Sequence, residues 1–352
     1  MTQIEDWFNT QKQQDTLYSV LQEMPKGGDL HNHLSCSGHP EWWFEAAFKF
    51  GYLQNLSLKQ KQDWIHAAKE KKQRYALTRM PHVLAEIMYR NMKSFGEEGV
   101  SYVEFQIPRP EFYNALKARL NKQDAIDTNV MVRFQGCVRR GHGNKESNRG
   151  LRPSIQRQLD NIDRFVQEND LCVGVNFIDH EYHNIGYTRE LSAFQDINVP
   201  LSIHAGETTV SNSHIKQALG IGANRIGHGL NLIHDSATMK HMIEHAIPLE
   251  VCLSSNKYFN HIVKYEDHPL QTYIQKGVPV VLCTDDRGYW SGTLTDEFFI
   301  AVTTFDLNWN EVKQLCRNSL EYAFVDDTTK TQLLDTHDKK MGQFEIEMLL
   351  AV

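Results

Sequence analysis

Residues 27–38 read "GGDLHNHLSCSG": a short apolar approach carrying His31 and His33, then a break into small polar residues and glycine. In an extended strand, alternate side chains share a face, so the two imidazoles point the same way where the strand ends. A pair of this kind is either part of a metal site or an ordinary polar exit from a strand. The rest of the chain decides which. Seven further apolar, β-branched runs follow: 101–108, 129–138, 172–179, 200–207, 225–232, 248–256 and 279–286. Amphipathic stretches such as "SIQRQLDNIDRFVQEN" and "ATMKHMIEHA" lie between them. Eight β/α alternations predict an α/β fold of the (β/α)8 TIM-barrel type, as eight is the number that closes such a barrel. An open doubly wound sheet is the alternative, and the chain lacks the GxGxxG turn that would favour it.

The bulk properties narrow the function classes. A chain of 352 residues with 41% hydrophobic and 23% charged residues can bury a large core. The formal net charge of −7 argues against a nucleic-acid partner. No apolar run is long enough for a membrane span, and "MTQIEDWFNTQKQQ" lacks the apolar centre of a signal peptide. Six scattered cysteines read as reduced thiols, and the expected location is cytoplasmic. The expected organisation is a single barrel domain over 1–352, with a helical insertion after the first strand at about 39–100 and extra C-terminal helices. That insertion leaves the functional end of the barrel, where it can form a lid. Its Trp42, Trp43 and Phe44 read as helix packing rather than pocket lining. The basic stretch 139–152, "RRGHGNKESNRGLR", reads as a solvated loop.

Polar residues of one chemical kind recur at the strand ends. His204 and Glu207 flank a turn at Gly206 in "HAGE", His228 stands between glycines in "RIGHG", and Asp285 and Asp286 close "VVLCTDD". Each is weak evidence alone. In a barrel the strand ends converge on one place. Three neutral imidazoles and one carboxylate, His31, His33, His204 and Asp285, suit a single Zn2+ with an open position. Such coordination lowers the pKa of water to about 7. Glu207, His228 and Asp286 remain for proton transfer and orientation.

The carriers "DLHNHL", "HAGE", "RIGHG", "SSN" and "TDD", together with "HPLQTYIQKGVPVVLCTDDRGYWSGTLTDEFFIA" and "NSLEYAFVDD", resemble the adenosine deaminase family of zinc hydrolases. The resemblance spans about residues 24–345 and is loosest between 39 and 195. It implies the barrel, zinc held by His31, His33, His204 and Asp285, and attack on the purine carbon bearing the exocyclic amine. Glu207 resembles the family's donor to the adjacent ring nitrogen, so it must carry its proton when substrate binds. His228 resembles the residue that orients and helps deprotonate water, and Asp286 one shared between the nucleophile and a ring nitrogen. The implied partner is a small purine nucleoside, with Ser35, Asp179, Gly206 and Asp286 at the positions that would bind it.

The departures bear on substrate. Ser35 stands where the family commonly has an aspartate reaching a ribose hydroxyl, and Asp179 where it has a glycine whose backbone N–H meets the purine edge. Arg287 replaces the usual proline after "TDD" and reads as a structural ion pair in preference to an anion contact. These changes lead us to expect a nucleoside altered at the sugar or the exocyclic amine. Two other readings stay open: a mononuclear amidohydrolase cleaving an amide or ester, and a non-catalytic binding protein. The stretch 171–186, "LCVGVNFIDHEYHNIG", holds no lysine of the kind many two-metal members use, which favours one metal.

Overall fold

Eight strands, all parallel, follow one another around the molecule in chain order. The computed structural model describes residues 3–54, 57–60, 62–63, 77–107, 110–139, 155–178, 181, 198–208 and 213–350. The strands are β1 Gly27–His33, β2 Val100–Ile107, β3 Met131–Arg139, β4 Cys172–Ile178, β5 Leu201–Ala205, β6 Arg225–His228, β7 Leu249–Val251 and β8 Val280–Leu282. Just beyond the end of β8 the ring meets β1: Asn32 bridges Asp285, and the Asp285 N–H donates to the His31 carbonyl at 2.8 Å. The Asn32 amide reaches Thr284 Oγ1 at 2.9 Å, and Asp29 accepts from the Thr284 hydroxyl. The closing seam therefore runs through the very residues singled out as ligands.

The last three strands are shorter than their apolar runs predict. Residues 230–234 wind into a 3-10 turn, and Leu253–Tyr258 is helical rather than extended. The reason is that "SSN" follows a complete strand: its polar side chains are used at the strand end, and the chain turns there to begin a helix.

Helices cover the outer faces of the strands. Their buried apolar sides join Val103, Phe105, Phe134, Val175, Phe177, Ile203 and Ile226 of the strands in one continuous core. A second cluster, with Leu30, Tyr102, Val281 and Cys283 from β1, β2 and the β8 segment, meets Leu320 and Ala323 from the C-terminal region. The helix Leu294–Phe305 starts on a capping box between Thr293 and Asp296.

After β1 come the helices Leu34–Ser37, Pro40–Lys49 and Pro81–Glu97. Trp43 is fully buried and donates to the Gly38 carbonyl at 3.0 Å, while Trp42 and Phe44 pack on the core, as helix packing requires. Arg287 is fully buried, pairs with Glu98 at 2.8 Å and lies over the Phe95 ring, so it is an internal ion pair. Beyond Arg139, which ends β3, the basic stretch lies outside the described residues through residue 152. Among the described residues no helix is long and apolar enough to cross a membrane.

Candidate active site

The four proposed ligands meet at the C-terminal end of the barrel. His31 and His33 come from β1, His204 from β5 and Asp285 from the residues just after β8. The His31 ring lies 4.4 Å from that of His204 and 5.5 Å from that of His33, centroid to centroid. Asp285 Oδ1 is 3.3 Å from His33 Nε2 and 3.6 Å from His31 Nε2. Donors about 2.1 Å from a tetrahedral ion stand about 3.4 Å apart, so these separations match the edges of such a shell. His31 Nε2 and Asp285 Oδ1 are buried and make no hydrogen bond among the described residues. A buried polar atom in that state is costly unless something else satisfies it, and a cation would do so here.

The surroundings turn the donors inward. Glu250, on β7, meets His31 Nδ1 at 2.7 Å and leaves Nε2 as the inward atom. A carboxylate behind a ligating imidazole fixes its orientation and raises its basicity. Ser255 donates to Asp285 Oδ2 at 2.5 Å, leaving Oδ1 facing the imidazoles. Gly227 lies beside His31: a Cβ there would stand 2.9 Å from His31 Cε1. Asp285 and His228 both hold left-handed backbone, φ 51 and 65. Such conformations cost a residue with a side chain on the order of 1–3 kcal/mol and gather at functional sites.

The electrostatics agree with a cation site. Burial pushes His33 down to about 4, so it is neutral and able to ligate. Burial also acts to lower His31, but the Glu250 hydrogen bond and the Asp285 charge carry it up to about 9. A bound ion takes the place of the proton these carboxylates attract. Burial lowers His228 as well.

Glu207, 8% exposed, lies beside the proposed ligands, close to His204 and His228. Its Oε1 is 3.8 Å from His228 Nε2. The turn that presents it is held by Glu181, which accepts from the N–H groups of Gly206 at 2.9 Å and Glu207 at 2.8 Å and meets His214 Nδ1 at 2.7 Å. Gly206 has φ 71, and a Cβ there would meet Ile215 at 2.6 Å. Its N–H is taken by Glu181 and its carbonyl by the Asn231 N–H, so it serves the site as the turn itself. Asp286 is half-buried beside the Cys36 thiol, and its carboxylate approaches Asp285 and His33. Ser35 is half-buried on the short helix after β1, with its hydroxyl 3.7 Å from Cys36 Sγ. Asp179 lies outside the described residues.

The motifs read from the sequence do not include Glu250, Glu181 or His261, whose Nε2 lies 3.2 Å from Glu207 Oε1, and they hold Ser255 only within "SSN", with no role attached. One signal was available: a lone acid inside an apolar run, as in "PLEVC", calls for a buried partner.

The adenosine deaminase family model matches residues 25–340. Adenosine deaminase of Yersinia pseudotuberculosis is 26% identical over 266 residues, which is 71% of this chain and 75% of that one. Among solved structures, an N6-mAMP deaminase of Arabidopsis superposes with a TM-score of 0.75 at 21% identity, covering 91% of this chain and 99% of its own. An amidohydrolase of Burkhoderia ambifaria, solved with bound Zn, gives 0.75 at 16% identity over 96% of each chain. The structural likenesses establish the barrel, and the sequence match goes further: the chain belongs to the adenosine deaminase family, hydrolases that act on a carbon–nitrogen bond of a cyclic amidine.

Proposed function

We propose that this centre holds one zinc ion on His31, His33, His204 and Asp285 and hydrolytically deaminates an adenine nucleoside, releasing ammonia or an amine. The observation that carries the reading is the convergence of buried donor atoms without hydrogen bonds, His31 Nε2 and Asp285 Oδ1, beside Glu207 and His228. When bound, the ion lowers the pKa of water to about 7 and so supplies a nucleophile at neutral pH.

The chain's own groups do the rest. Glu207 donates its proton to the ring nitrogen next to the carbon under attack, which makes that carbon electron-poor. His228 has Nδ1 against the Asn256 amide at 3.3 Å, so Nε2 faces the reacting centre to orient the nucleophile and pass its proton to the leaving amine. Asp286 holds the nucleophile and a second ring nitrogen in line. Loss of the amine leaves the 6-oxo product.

Ser35 and Asp179 are the positions that set preference, towards a nucleoside altered at the sugar or at the exocyclic amine. Arg287, buried in its pair with Glu98, takes no part. A cytoplasmic location fits six cysteines with no disulfide among them.

The test is ammonia or amine release from adenine, adenosine, deoxyadenosine, adenylate, N6-alkylated and 5′-modified nucleosides. We expect a modified nucleoside to be turned over fastest, with activity abolished by chelation and restored by zinc. Plain adenosine as clearly the best substrate removes the roles given to Ser35 and Asp179. No release from any of them removes the function.

A further inference from the structure

Glu207 is flanked by two imidazoles, and the proposed reaction uses only one. Besides His228 Nε2 at 3.8 Å, His261 Nε2 stands 3.2 Å from the same oxygen, Oε1. His261 comes from the turn after the helix Leu253–Tyr258, where Asn260 takes up left-handed backbone at φ 60. The N–H groups of His261 and Ile262 both donate to the Asn256 carbonyl, at 2.8 and 3.2 Å. The side chain of that same Asn256 meets His228 Nδ1 at 3.3 Å. One residue therefore places both rings that bracket the carboxyl.

The two rings differ in their access to water. The His228 side chain is 1% exposed, that of Glu207 9% and that of His261 13%. His261 is thus the more open of the two rings, although its Nε2, the atom towards the carboxyl, is itself buried. Among the described residues, the titratable groups that face it are Glu207, past the end of β5, and His228, at the end of β6.

We propose that His261 is a positioning residue that acts through Glu207, holding its carboxyl in line and returning a proton to it after each turnover. The inference rests on Glu207 being the proton donor. In the forward reaction the Glu207 O–H bond breaks, the proton goes to the ring nitrogen, and a carboxylate remains. Protonated His261 then gives up its Nε2–H: that N–H bond breaks, an O–H bond forms at Oε1, and the ring becomes neutral. The neutral ring keeps its Nδ1–H, and a solvent proton adds at Nε2 to restore the donor before the next turnover. The attacking water supplies two protons, one leaving with the amine and one going to solvent. The latter balances the proton drawn in through His261.

The test compares His261→Ala and His261→Gln with wild type, each checked for metal content and folding. General acid–base groups contribute about 10²–10⁴-fold, and a relay acting through such a group is expected at the lower end. In both variants kcat should fall about 10- to 100-fold, with KM changed less than about threefold and metal content unchanged. Turnover of His261→Ala should rise with added imidazole, and that of both variants with buffer concentration, while wild type responds to neither. Full kcat in His261→Gln, or a loss in His261→Ala that neither imidazole nor buffer relieves, overturns the proposal. Should the alanine variant fail to fold, His261→Gln and its buffer dependence carry the test. An active wild type with an inactive Glu207→Gln and an unaffected His261 series rejects this inference alone. Full activity in Glu207→Gln rejects the function reading beneath it.

Discussion

The barrel interior has two levels that are equally dry and chemically opposite. At the lower one Arg225 pairs with Glu104 at 2.6 Å and with Glu250 at 2.6 Å, Gln135 donates to Glu104 at 2.7 Å, and Asn176 donates to Gln135 at 2.9 Å. Each charge there meets its opposite. Burial alone would lower the guanidinium's pKa, but the two carboxylates hold it above its ordinary value. Burial alone would raise Glu250, yet Arg225 and His31 keep it low. At the upper level His31 Nε2 of β1, His228 Nε2 of β6 and Asp285 Oδ1 just after β8 are buried and without hydrogen bonds among the described residues. The lower level pairs its charges within the protein and leaves only the neutral Asn176 Oδ1, of the side chains just named, without a polar partner among the described residues, whereas the upper level leaves converging imidazole and carboxylate atoms that a bound cation would satisfy. Glu250 joins the two, with Oε1 on Arg225 and Oε2 on His31.

Breaking the lower level should have the largest effect on stability. Arg225→Ala leaves two buried carboxylates facing each other, and removal of one partner from a buried ion pair costs about 3–5 kcal/mol. Urea denaturation measures it, and a loss under about 1 kcal/mol would mean that the network is not the paired structure described. Glu250→Gln sharpens the contrast because the residue serves both levels. Loss of a carboxylate behind a ligating histidine typically weakens metal binding about 10- to 100-fold. Competition with a chelator reads this directly. If only stability falls and metal affinity holds, Glu250 belongs to the lower level alone.

His268 marks the limit of the orphan-atom criterion. It is 3% exposed, its Nδ1 accepts from the Leu270 N–H at 3.1 Å, and its Nε2 has no hydrogen bond among the described residues. It nevertheless stands outside the ligand groups, so a lone orphan is not a site and a converging set is. Burial lowers its pKa to about 3. The unfolded chain therefore binds the proton first as pH falls. Its share of stability is complete above about 6.5 and is lost towards pH 3, at up to about 1.4 kcal/mol per pH unit. An asparagine can still accept from the Leu270 N–H, so His268→Asn should flatten the acid loss of stability over that range. An unchanged slope in acid denaturation would contradict the assignment.

The proposed ligands were legible as a converging set because each sits at a strand end inside a short local pattern. Strand order followed from the same runs, since a barrel takes its strands in chain order. The lengths of β6, β7 and β8 were not legible, because polar residues needed at the site interrupt the apolar pattern at the strand end. Supporting residues were hidden for another reason: their meaning lies in partners far along the chain. Glu250 acts on His31 across 219 positions, and Glu181 on His214 across 33. His261 follows no strand at all, and only the turn built on the Asn256 carbonyl brings it to Glu207.

In the proposed function the upper level holds a metal, and Glu207 works beside it as a proton donor rather than within it as a ligand. Glu207→Gln, assayed together for metal per chain and for ammonia release, tests this most directly. Expected are one bound metal as in wild type and turnover reduced at least about 10²-fold. Undiminished turnover would contradict the donor role, and loss of the metal would make Glu207 a ligand.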